Sequence, residues 1–220
     1  MTKFFTYLAF FIIYGVCTGV IRSQSEKSLS DAVYFLSEYI VSQEFTLLKS
    51  SNSDLELIDT LYSKALEYHN GDYSEALLSL TFATLPFNKM PVHLPPLGKV
   101  NLHLPSVDET LFNRKVKNLP KKIYFDSPET NFGDKDKVAH FFGNSFLAYN
   151  QGFFNLSKFM GIFVELFEAS FEVGGGLDER DILTNSLGEL FGKELRKNKN
   201  LMPSDVMKLY YLFYSVPTIN

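Results

Sequence analysis

Between Asp136 and Gly192 the sequence concentrates groups able to move protons or hold a cation. These are Asp136, Lys137, His140 and Asn144, then Glu165 and Glu168, then Asp178, Asp181 and Asn185. One imidazole among several carboxylates permits general acid–base work or metal ligation. His140, Glu165, Glu168 and Asp181 are the candidate ligands, and Lys137 is a candidate stabiliser of negative charge. The same residues permit a purely structural network, because a carboxylate or amide buried between helices needs partners. The residue types alone assign no catalytic group and name no cofactor.

Three short helical segments must position these groups. Gly133-Asp134 opens the first, with Asp134 as a plausible cap. At about 100° per residue, Asp136, Lys137, His140, Gly143 and Asn144 share one arc, opposite Val138, Phe142, Phe146 and Tyr149. His140 therefore belongs to a polar stripe. In the second segment Phe159, Phe163, Phe167 and Phe171 recur every four residues, and Glu165, Glu168 and Glu172 share the remaining stripe with Gly161. Gly174-Gly175-Gly176 stops that helix, and Asp178 with Asp181 resembles a capping pair for the next. There Asp181, Asn185, Gly188 and Gly192 fall on one line. Glycines so placed let a neighbouring helix approach closely, which predicts that Asp181 and Asn185 face a helix contact with Lys137, His140 and the glutamates within reach.

Upstream, Ser28 to Leu48 has the spacing of an amphipathic helix, Asn52-Ser53-Asp54 starts a second through Tyr68, and Asn70-Gly71 ends it before a third begins at Asp72. The last pair looks like one tetratricopeptide-type hairpin. No second copy follows, and such arrays need about three units, so an ordinary αα-hairpin is the simpler reading. Pro86, Pro91, Pro95, Pro96, Pro105, Pro120 and Pro128 then exclude a long helix across 86–133, leaving a connector or wrapping arm in which Val100, Leu102 and Leu104 suit a short strand. Its basic run, Arg114, Lys115, Lys117, Lys121 and Lys122, reads as a solvated stripe, with anionic lipid headgroups as the functional alternative. His93 and His103 are loop histidines, ordinarily exposed, where a metal could find ligands. Lys193, Arg196, Lys197 and Lys199 suit the end of a helix dipole, and Pro203-Ser204-Asp205 opens a last short helix.

Lys3 followed by an uncharged stretch from Phe4 to Ile21 and small residues at Ser23 and Ser25 resembles a secretory signal peptide over 1–25. An uncleaved anchor and lipid attachment at Cys17 are the alternatives. Cys17 is the only cysteine, so a cleaved chain has no disulfide and no thiol chemistry. A net charge of −4 carries no clustered basic excess and argues against nucleic acid. Past the leader, charges at His140, Glu165, Glu168 and Glu172 interrupt every apolar run before the roughly 20 residues a spanning helix needs. The expected fold is all-α: a helical hairpin region over 26–85 and a carboxy-terminal bundle of short helices over 134–220, joined by the Pro-rich extended segment.

The order Asp136-Lys137, His140-Phe141, Glu165 with Glu168, then Asp178, Asp181, Asn185, Gly188 and Gly192 resembles the signature shared by VanZ-like proteins and the YfiM-type family of periplasmic lipoproteins. The resemblance covers about a quarter of the chain. VanZ-like proteins span the membrane and are linked to glycopeptide resistance; the small, helical, exported YfiM-type proteins are the nearer comparison. The resemblance implies an exported, periplasmic or membrane-associated protein and leaves its chemistry open. The leading expectation is an envelope protein that binds a ligand or protein partner, its polar groups forming a structural network. The alternatives are a metal-assisted hydrolase acting on an envelope phosphate or peptidoglycan component, and an adaptor working through the amino-terminal hairpin. Nucleophile elbows, phosphate-binding loops and dinucleotide fingerprints are absent from the sequence.

Overall fold

The computed structural model of the chain describes residues 28–94, 98–150 and 179–214. The amino-terminal apolar stretch and the phenylalanine-rich segment carrying Glu165, Glu168 and Asp178 lie outside them. Helix α1, Leu29–Ile40, starts at a capping box in which Ser28 and Asp31 satisfy each other's backbone N–H. The single helix expected through Leu48 is two: Ser42 accepts from the Phe45 N–H and restarts the chain as α2, Gln43–Ser51. A serine offering its hydroxyl to a local N–H competes with helix continuation.

Helix α3, Asp54–Tyr68, is capped by Ser53 with Glu56. It ends where Asn70 and Gly71 take positive φ, and Asp72 caps α4, Tyr73–Thr84. Ala76, Leu77, Leu80, Phe82, Ala83 and Leu85 are all buried, as are Thr81 and Thr84, whose hydroxyls donate to the Leu77 and Leu80 carbonyls. Helix α4 is thus a central helix, packed by α1 and α3.

The Pro-rich segment holds more regular structure than its prolines suggested. Strands β1, Lys89–Leu94, and β2, Gly98–His103, pair antiparallel with Val92 opposite Val100. His93 and His103 therefore lie on strands and not in loops. A ten-residue helix, α5, Glu109–Asn118, follows, its first N–H groups accepted by Asp108. It fits between Pro105 and Pro120, so the prolines set its length without forbidding it. Of the basic run, Lys115 is fully buried, a correction to the solvated stripe.

Among the described residues, helices α6, Lys135–Tyr149, and α7, Glu179–Leu195, make the most extensive helix pair, and α6 also packs along α4. Two short helices, α8, Pro203–Met207, and α9, Tyr210–Tyr214, replace the single last helix expected. The fold is all-α, with the β1–β2 hairpin the one sheet among the described residues. One core joins Phe45, Leu61, Tyr62 and Leu80 to Phe141, Phe142, Phe191 and Tyr210, so the two helical regions are not packed separately. Each buried ring contributes about 1.5–3 kcal/mol. Among the described residues no helix is long and apolar enough to cross a membrane.

Candidate functional site

The site lies along the α6–α7 seam, and glycine sets its closeness. A Cβ at Gly188 would collide with the Phe141 carbonyl oxygen, and one at Gly192 with that of Ser145. The four-residue step between the glycines matches the step between the carbonyls, so one turn of α7 rests directly on one turn of α6. At that distance Asn185 and Asp181, one and two turns before Gly188 on α7, must meet the polar stripe of α6.

They do so as paired groups. Lys137 Nζ donates to Asp181 Oδ1 at 2.5 Å and to Asp136 Oδ2 at 3.3 Å, with Lys137 and Asp181 both buried. Asn144 Nδ2 donates to the His140 backbone carbonyl at 2.9 Å, which fixes which end of that amide is nitrogen. The same Nδ2 donates to Asn185 Oδ1 at 2.8 Å, and His140 Nδ1 lies 3.0 Å from that oxygen. Since the shared atom is an acceptor, Nδ1 of His140 carries a proton. Nε2 then faces Asp181, 3.8 Å from Oδ1.

Asp136, His140 and Asp181 each offer one ligand atom within 4.8 Å of the others, the one such group among the described residues. An imidazole whose Nδ1–H is held by an amide oxygen presents Nε2 as a ligand, as in many metal sites. Against a vacant metal cradle stands Lys137, whose ammonium already lies against both aspartates. The arrangement can therefore neutralise one buried and one half-buried carboxylate internally, or hold a cation if Lys137 swings away.

A second buried ion pair adjoins the seam. Asp134 is fully buried and occupies the cap position of α6, yet its side chain makes no cap hydrogen bond. Its carboxylate instead receives Arg180 Nη2 at 2.6 Å and the Ser127 hydroxyl. Arg180 Nε also meets Asp126 Oδ2 at 3.2 Å, and Asp126 accepts from the Tyr210 hydroxyl at 3.0 Å. Burial raises the Asp134 carboxyl above its ordinary value, while the Ser127 and Arg180 bonds pull it back down. Asp134 as a simple cap is thus corrected: it ties the loop before α6 to the start of α7. Arg180, Asp126 and Tyr210 were not singled out in the sequence. The signal available was Arg180 at the head of α7, where a cation opposes the dipole and needs a carboxylate.

The seam brings together Asp136, Lys137, His140, Asn144, Asp181, Asn185, Gly188 and Gly192. Glu165, Glu168 and Asp178 lie outside the described residues, and with them two candidate ligands and the proposed capping pair; the Asp181 carboxylate itself is turned to Lys137. Comparison with protein-family models, with curated protein sequences and with solved structures gave no match to this chain.

Proposed function

We propose that this is an exported cell-envelope protein of the YfiM type whose helical body binds an envelope component or protein partner, with the α6–α7 polar cluster as its structural clasp. The observation that carries the clasp is the position of Lys137 Nζ, 2.5 Å from Asp181 Oδ1 and 3.3 Å from Asp136 Oδ2. The chain's own cation stands where a bound metal would be needed to neutralise these acids. Export rests on the leader-like residues 1–25 and on the motif resemblance.

The clasp reading expects His140→Ala to lower the melting temperature, because it leaves Asn185 Oδ1 with one donor fewer. A variant that melts as the parent does while an envelope phenotype disappears would sink it. Metal-assisted hydrolysis is the second reading, favoured by the approach of Asp136, His140 and Asp181 within 4.8 Å. It expects zinc, manganese or magnesium to raise the melting temperature of the parent and not of Asp181→Asn. No bound metal and no response to any of the three ions would remove it.

A further inference from the structure

We infer that Lys115 is a pH-dependent latch that holds α5 and the preceding hairpin against α1 and the end of α4. The inference is independent of the envelope reading. Lys115 is completely buried. Its Nζ donates to the Leu85 carbonyl oxygen at 3.2 Å and lies 4.9 Å from the Phe112 ring centroid. An ammonium has three N–H donors, and one carbonyl with one ring face satisfies it poorly. A neutral amine asks for less.

Among the described residues, no acid on the surrounding elements answers that charge. Asp31 and Glu38 on α1, Asp108 and Glu109 at the start of α5, and Arg114 and Lys117 on its outer face are all exposed. The Tyr34 and Tyr39 hydroxyls of α1 donate to Glu38 and Glu44. Residues 81–85 at the end of α4 contain no titratable side chain. Lys49 of α2 is committed to the Asn118 carbonyl at 2.8 Å. Burial alone pulls the Lys115 amine from its ordinary 10.5 down to about 7.

The piece so held has a firm end and a loose one. Asn118 Nδ2 donates to the Ile40 carbonyl at 2.8 Å, and Asp54 accepts from the Lys121 and Lys122 N–H groups at 2.7 and 2.6 Å. At the other end the hairpin strands pair mainly with each other, and Leu104 inserts beside Val33, Phe82 and Leu85. Release therefore pivots at Asn118 and frees α5 with strands β1 and β2. Once in water the amine keeps its proton to pH 10.5, whereas docked it gives it up above about 7. Docking is then weakest and constant below about pH 7, and strengthens by up to about tenfold per pH unit above it.

Hydrogen exchange of the full chain between about pH 6 and pH 9, corrected for intrinsic rates, tests this with α3 as the internal reference. In the parent, protection of α5 relative to α3 is expected to stay level below about pH 7 and to climb by up to about tenfold per unit above it. Lys115→Met should be strongly protected with no slope. Lys115→Arg, charged throughout, should be weakly protected with no slope. Parent protection that tracks α3 over the whole range, or a slope that survives in Lys115→Met, would overturn the latch. If the arginine variant does not fold, the methionine variant decides alone.

Discussion

Lys137 and Lys115 are buried in the same protein and are satisfied in opposite ways. Lys137, on α6, lies against two aspartates, one of them on the facing helix, and its charge ties two elements together. Lys115, on α5, has a carbonyl oxygen and a ring face. Burying a charge is costly in both places. Where carboxylates compensate, the buried charge becomes a cross-link; where none does, the amine surrenders its proton and the contact acquires a pH dependence. Burial by itself assigns no role to a lysine; its partner set does.

The largest loss of stability is expected when the first lysine is converted into the second. Asp181→Ala removes the nearer aspartate of Lys137 and leaves the buried ammonium less compensated, which is expected to cost about 3–5 kcal/mol in denaturant unfolding. Removing both partners, as Lys137→Met with Asp181→Leu, should cost far less than the sum of the single changes, since no buried charge is stranded. Additive losses would mean that the two side chains are not a pair.

The converse change should stabilise. Lys115→Met keeps the length and apolar stem of the side chain and removes the amine, for a gain of about 2 kcal/mol near neutral pH. The sign with pH follows from the lowered pKa. In the parent the unfolded chain binds the Lys115 proton between about 7 and 10.5 and the folded chain does not. Parent stability therefore rises with pH through that window, and the advantage of the methionine variant should shrink as pH rises. Chemical denaturation of the two proteins at matched pH checks it; a constant difference would show that the amine does not titrate in the fold.

The contrast between the two lysines was half legible in the sequence. Asp181, Asn185, Gly188 and Gly192 share one helical line, so periodicity alone placed them against a neighbour, and the α6 stripe containing Lys137 and His140 followed in the same way. The helix starts at Ser28, Ser53 and Asp72 were legible for a local reason, since a cap is decided within four residues. Lys115 was not legible: its neighbours Arg114 and Lys117 are exposed, and only the fold of α5 onto α1 and Leu85 singles out the middle charge. Asp134 misled for a related reason. The cap position was right, but a long-range partner, Arg180, claimed the carboxylate.

The smallest predicted effect isolates the neutral half of the clasp. Asn185 Oδ1 accepts from Asn144 Nδ2 and from His140 Nδ1, and neither bond carries a net charge if His140 is neutral. Asn185→Leu removes the shared acceptor, and Asn144 retains its bond to the His140 carbonyl. A loss of about 1–2 kcal/mol is therefore expected, less than for Asp181→Ala. The informative readout is the imidazole itself. With Asn185 in place the Nδ1 proton is fixed and Nε2 is aimed at Asp181; without it the ring can exchange tautomers. Nitrogen chemical shifts of His140 should report a single Nδ1–H form in the parent at high pH and a mixture in Asn185→Leu. If the parent already shows the mixture, Asn185 does not orient the ring, and the clasp reduces to Lys137 with its two aspartates.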